Sequence, residues 1–234
     1  MDEAEKKQQL ASGWLRPGIF GAMDGLVSNF ALIMGVAGGT AAVTDSTTGI
    51  VLAGLAGLAA GAFSMAAGEY TSVKTQAEYE MAVIEAERKD VTNEPEKERV
   101  QLAGFFVDLG AEEADALKVS EQIHRDTDLA VRAHALYEFG LDLEKPPSAM
   151  LAAVASFLAF TVGAIIPLIP YLVGAQSPWP AIIISVIGLF ASGAAVTAMT
   201  GRSWFFGGTR QLTFGLVAAG ATYGIGMLVG GAIL

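Results

Sequence analysis

The sequence predicts an all-α membrane protein: five transmembrane helices, with a cytoplasmic helical metal-binding insert between the second and the third. Three observations predict the architecture. Of the 234 residues, 53% are hydrophobic and only 16% are charged, where a soluble domain carries about 25% charged residues. The apolar residues gather into five stretches, at 18–39, 50–68, 150–172, 181–201 and 212–234, each close to the roughly 20 residues that cross the hydrocarbon of a bilayer. The charge is partitioned as well. Residues 69–145 hold 19 Asp and Glu against 9 Lys and Arg, and the rest of the chain holds 5 against 5, so the net charge of -10 belongs to one middle segment.

The same arithmetic excludes several classes. A chain this apolar is not disordered, and with no cysteine it has no disulfide scaffold, thiolate metal site or cysteine nucleophile. An acidic segment repels nucleic acid and attracts cations. No ATP-binding motif is present, so any pumping draws on a gradient, and no constellation of an enzyme or resident cofactor stands out.

The chain divides into an N-terminal segment (1–17), the first two spans (18–68), the acidic insert (69–147) and the last three spans (148–234). Asp2 to Lys7 lead into a span that runs past signal-peptide length without a cleavage site. The connections at 40–49 and 173–180 contain no Lys or Arg, so all 14 basic residues fall on the other side of the membrane. The positive-inside rule therefore places the N-terminus and the insert in the cytoplasm. Compact termini point to a bacterial-type protein of the plasma membrane.

Within the insert, Ala, Glu, Lys, Gln, Val and Leu dominate, and no Gly or Pro interrupts residues 71–88, so the second span continues out of the membrane as one long helix. Asn93-Glu94-Pro95 breaks it, with Pro95 at a first-turn position. Gly110, Gly140 and Pro146-Pro147 supply later stops, which makes about three further amphipathic helices. A helical unit of that size buries little surface alone and is expected to pack against a second copy, giving a homodimer. Gly57-x-x-x-Gly61, Gly220-x-x-x-Gly224 and Gly226-x-x-x-Gly230 are small-residue spacings that let spans approach closely.

Among residues able to carry chemistry, Asp24 is the one charge inside the five stretches, where an unpaired carboxylate is expensive. Ser28 and Asn29 extend its polar stripe. Met65 and Glu69 lie at i and i+4, so a thioether and a carboxylate share one helical face. Beside Asp24 they make a candidate path for a borderline divalent cation such as ferrous iron. In the insert, Glu87 with Asp90, Glu94 with Glu98, Glu98 with Gln101 and His134 with Glu138 are pairs at helical spacing, which suits either a solvated face or a cation site. Glu121-x-x-His124 is half of a bundle di-iron pattern, and an oxidase needs two such pairs.

The run Gly21-Ala22-Met23-Asp24-Gly25-Leu26-Val27-Ser28-Asn29, followed by Met34-Gly35-Val36, resembles the first-span signature of the vacuolar iron transporter family. Ser64-Met65-Ala66-Ala67-Gly68-Glu69-Tyr70-Thr71-Ser72-Val73 agrees at the end of the second span. Glu94-Pro95-Glu96, Glu138-Phe139-Gly140-Leu141 and Ile166-Pro167-Leu168-Ile169-Pro170-Tyr171 follow in order. The resemblance implies a five-span homodimer that exports ferrous iron or manganese from the cytoplasm against protons, the metal being substrate and membrane lipid the surroundings. It implies Asp24 and Met65 as transport residues. It implies Glu87, Asp90, Glu98, Gln101 and Glu138 as the acidic set of a metal-collecting domain, with His134 where one of a pair of methionines is usual. Asp90 and Gln101 stand where Glu is usual, and the methionine pair reads His134-Ala135. A membrane-tethered metal buffer or sensor is the competing reading, and the buried charge of Asp24 speaks for transport, since an anchor has no use for it.

Overall fold

The computed structural model describes residues 11–40, 47–143, 148–199 and 201–233. Most of the expected N-terminal segment, most of the first connection and the Pro146-Pro147 stop lie outside the described residues. Every regular element among the described residues is helical. A π-helical turn at Ala11–Leu15 leads into α1 (Arg16–Gly39), with Pro17 in its first turn. Then follow α2 (Thr47–Asn93), α3 (Pro95–Asp108), α4 (Glu113–Ile123), α5 (Thr127–Phe139), α6 (Ala149–Ile165), α7 (Ile169–Leu172), α8 (Trp179–Met199) and α9 (Trp204–Ile233). Five of the helical segments are long and apolar enough to cross a membrane: Gly13–Gly39, Thr47–Asn93, Ala149–Leu172, Trp179–Ala198 and Trp204–Ala232.

The chain forms two compact units, residues 1–71 with 149–234 and residues 72–148. In the first, α1 packs against α6, α8 and α9. Leu26, Phe30 and Met34 meet Leu189 and Ala219, while Ile33 meets Ile50, Leu168, Tyr171 and Ala181. Glycine sets the spacing of α1 and α6. A Cβ on Gly25 would strike the Phe160 carbonyl, and one on Gly163 would strike the Ala22 carbonyl, so the two backbones touch where no side chain intervenes. Across that contact Asn29 donates to the Ala164 carbonyl at 2.6 Å, and Thr222 of α9 donates to the Ala31 carbonyl at 2.6 Å. Large apolar side chains such as Leu52, Phe63, Val217 and Leu228 face outward, as lipid-facing helices require.

Two sequence expectations are corrected in this unit, and the third span, found where expected, carries a break the sequence reading did not address. The fifth span starts at Trp204 rather than at residue 212, because Gly207 and Gly208 lie close against Gly193, Thr197 and Phe190 of α8, and this packing carries the helix through the polar Thr209-Arg210-Gln211. Arg210 therefore stands on a candidate span, and Asp24 is not the only charge there. The third span is interrupted by a 3-10 turn at Ile166–Leu168, where Pro167 and Pro170 each lack a backbone donor. Of the three small-residue spacings, Gly57 and Gly61 meet Leu32 and Phe160, and Gly226 and Gly230 meet the backbone of Gly35 and Gly39, but Gly220 and Gly224 have nothing against them.

In the second unit the long helix continues unbroken to Asn93, and Pro95 opens α3 as the sequence predicts. Gly110 and Gly140 both adopt positive φ after helix ends. At Gly140 (φ 68°) the amide donates to the Leu136 carbonyl and that of Leu141 to Ala135, closing α5 just beyond Glu138. Asp126 caps the start of α5 by accepting from the amides of Asp128 and Leu129. The apolar core is built of small residues: Val91, Ala130 and Val131 cluster with Ile84 and Ile123 against them, and Leu102, Ala103, Ala116 and Ala135 are buried as well.

Candidate metal centre

Beside that small core lies a buried polar cluster. Glu87 of α2, Glu98 of α3 and His134 of α5 are 6%, 3% and 0% exposed, although carboxylates are almost never buried without partners. The His134 Nδ1 atom lies 3.2 Å from Glu87 Oε1, 3.8 Å from Glu98 Oε2 and 3.8 Å from Glu138 Oε2. Glu87, His134 and Glu138 offer ligand atoms all within 4.8 Å of one another. Gln101 donates to Glu138 Oε2 at 2.9 Å and holds it over the cluster. Lys97 reaches in from the rim, 2.9 Å from Glu94 and 3.6 Å from Glu98.

These contacts are not ion pairs with a charged histidine. Burial, and then the neighbouring His124, push His134 down to about 4, so the ring is neutral near pH 7. Burial, followed by the charges of Glu138, Glu98 and Asp90, pushes Glu87 up to about 7. Burial, then the charge of Glu98, raises Glu138 as well. His134 Nδ1 and Glu87 Oε1 face each other with no hydrogen-bond partner. Two acceptors in that position are satisfied by a proton on Glu87 or by a cation between them. Ligand atoms each about 2.1 Å from a common ion stand about 3.0 to 4.2 Å apart, and the three His134 contacts fall in that interval. One imidazole with two or three carboxylates suits a first-row divalent metal.

Of the residues expected from the sequence, Glu87, Glu98, His134 and Glu138 are brought together and Gln101 holds one of them, while Asp90 is exposed at the edge. Glu121-x-x-His124, half of a di-iron pattern, is not part of the metal-ligating group found among the described residues. His124 instead presents its Nε2 to His134 Nε2 at 3.4 Å, the rings meeting edge to face. Sequence reasoning missed that role, and it missed Lys97.

In the first unit a cavity of about 230 Å³ is lined by Asp24, Ser28, Asn29, Leu32, Gly57, Gly61, Ser64, Met65 and Phe160. It unites Asp24 and Met65 from different helices. Glu69, one turn beyond Met65, is outside its lining. Ser28 donates to the Asp24 backbone carbonyl at 2.5 Å, leaving the carboxylate free of that bond. Asn29 Oδ1 is buried without a partner. The cavity thus carries one carboxylate, one thioether and several neutral oxygens.

A sequence profile of the VIT family matches residues 15–227. The chain belongs to the VIT family. It is 34% identical to the vacuolar iron transporter of Acanthamoeba castellanii, over 97% of this chain and 82% of that protein. It is 32% identical to vacuolar iron transporter homolog 1 of Oryza sativa subsp. japonica, over 93% and 74%. It is 28% identical to vacuolar iron transporter 1 of Tulipa gesneriana, over 98% and 92%. VIT family membership together with five apolar helices of spanning length makes the chain an integral membrane protein.

Proposed function

We propose that this protein moves a divalent metal, ferrous iron with manganese as the alternative, out of the cytoplasm in exchange for protons, and that residues 72–148 collect the metal on the cytoplasmic side. The reading is carried by one observation: a neutral, fully buried imidazole nitrogen aimed at three carboxylates, in a chain whose relatives are named vacuolar iron transporters. Metal entering the cluster displaces the proton held by Glu87, so binding and proton release are linked at one group. Asp24 and Met65 then supply a hard and a soft ligand in the spanning unit, and Asp24 exchanges metal for a proton. Two copies associate, since the small apolar core of the acidic unit gains from a partner face.

A metal buffer with inert anchors would have no use for the cavity at Asp24 and Met65. Uptake of ferrous iron or manganese into proteoliposomes under an imposed pH gradient tests the proposal. Uptake that tracks the gradient is expected. Uptake indifferent to the gradient leaves a uniporter, and no uptake leaves the buffer.

A further inference from the structure

The contact between the two histidines has a direction. A backbone carbonyl only accepts, so His124 Nδ1, 2.9 Å from the Ser120 carbonyl, carries the hydrogen. With its single hydrogen on Nδ1, His124 has a lone pair on Nε2. His134 Nε2 stands 3.4 Å from it and must be the donor. With its hydrogen on Nε2, His134 leaves Nδ1 bare, the state a nitrogen ligand requires, and that atom has no hydrogen-bond partner and faces Glu87, Glu98 and Glu138. The tautomer is thus assigned by the network.

We propose that His124 is a positioning residue for the metal site: it accepts the Nε2 hydrogen of His134, fixes the ring as the Nε2–H tautomer, and so presents a bare Nδ1 as a nitrogen ligand among the carboxylates. The proposal rests on the collecting site described above. It adds a residue that touches no metal and whose pairing with Glu121 would have pointed elsewhere. His124 is itself anchored. It caps the C-terminal end of α4, where the Ser120 carbonyl accepts from both its backbone amide, at 3.0 Å, and its ring Nδ1, at 2.9 Å. The fully buried Ser120 hydroxyl donates to the Arg99 carbonyl at 2.6 Å, tying α4 to α3 beside Glu98. The rings are perpendicular, with centroids 5.4 Å apart, so the two meet in one defined arrangement. Orienting groups of this kind typically change metal affinity about 10- to 100-fold.

The chain has only two histidines, which makes the test direct. Nitrogen NMR of the full-length, metal-free protein in detergent, labelled at histidine, should show His134 protonated at Nε2 and bare at Nδ1. In His124→Phe, which keeps an aromatic edge but offers no acceptor, the His134 signals should move to a mixed tautomer and Co²⁺ affinity should fall about 10- to 100-fold. His124→Gln, whose amide oxygen can accept, should restore most of both. A wild-type His134 protonated at Nδ1 overturns the proposal without any variant. Wild-type Co²⁺ affinity in His124→Phe overturns it while leaving the collecting site in place. A wild-type protein that binds no Co²⁺ overturns the collecting site and the role of His124 together.

Discussion

The spanning unit closes its core on Leu26, Phe30, Ile33, Phe160 and Leu189, whereas the acidic unit places Glu87, Glu98, Ser120 and His134 beside smaller apolar side chains, Val91, Leu102, Val131 and four alanines. Helix contact in the first is set by backbone against backbone, at Gly25 and Gly163 and at Gly35 and Gly226. Among its described buried polar groups, Asn29 Nδ2 and the Thr197 hydroxyl donate to carbonyls, while Asn29 Oδ1 and the hydroxyls of Ser156, Tyr171 and Ser185 have no hydrogen-bond partner. In the second, the buried groups face one another as acceptors, so that unit's stability depends on what fills the gap. A ligand that binds only the folded state stabilises it by mass action. The difference teaches that one all-helical chain can close one unit by backbone contact at glycines and build the other around buried carboxylates and an imidazole.

The largest effect expected lies in the spanning unit. Asp24→Asn keeps size and hydrogen bonding but removes the exchangeable charge, so metal flux into proteoliposomes should drop to the level of empty liposomes while size-exclusion behaviour stays that of wild type. A wild-type rate would break the assignment of transport to this cavity. The same variant should leave metal affinity at the acidic unit unchanged.

The complementary change sharpens the contrast. Glu98→Ala and Glu138→Ala should each weaken Mn²⁺ binding to the full chain, measured by calorimetry, by at least about 10-fold, the lower end of what even orienting groups contribute, and some transport should persist. Unaltered titrations would remove these residues from the site.

A pH response of metal binding is expected in the acidic unit. Below about 7, where Glu87 holds a proton, Mn²⁺ affinity should fall about tenfold per pH unit for one displaced proton. Stability of the metal-free protein follows from the same shifts. Glu87 ordinarily titrates at 4.5 and is pushed up to about 7, so its contribution is full below 4.5 and lost as pH rises through 7. His134 ordinarily titrates at 6.5 and is pushed down to about 4, so its contribution is full above 6.5 and lost as pH falls through 4. Between 4.5 and 6.5 the unfolded chain holds a proton on His134 and the folded chain holds one on Glu87, so the two slopes cancel. Glu138, raised as well, acts in the same sense as Glu87, so the double variant Glu87→Gln/Glu138→Gln leaves the His134 slope, and its thermal midpoint should then fall as pH is lowered from 6.5 toward 4. A midpoint level across that range would show that His134 is not held neutral.

Met65→Leu preserves packing volume and deletes the sulfur, so a smaller loss of flux or a shifted order among ferrous iron, manganese and cobalt is expected. The smallest effects test packing. Gly163→Ala drives a Cβ at the Ala22 carbonyl and should cost about 1–3 kcal/mol. Gly220→Ala meets open space and should stay within about 0.5 kcal/mol. Equal thermal shifts for the two would contradict the close approach of α1 and α6.

Features decided locally were legible in the sequence. Five apolar stretches, the acidic middle, the uninterrupted helix past Gly68, the break before Pro95 and the glycine ends at Gly110 and Gly140 depend on hydropathy, propensity and backbone freedom within a few residues. The family signature around Asp24 and Met65 was legible for the same reason, as an unbroken run. What the tertiary structure decided is which faces meet. Gly207 and Gly208 extend α9 only because α8 lies against them, and Gly226 touches Gly35 while Gly220 touches nothing. Spacing offered His124 to Glu121 on its own helix, and the folded chain offers it to His134 across the turn to α5. Helical periodicity says which residues share a face, but the rotation and register of one helix against another come from side-chain packing summed over the whole unit, and that sum is not written in any local stretch of sequence.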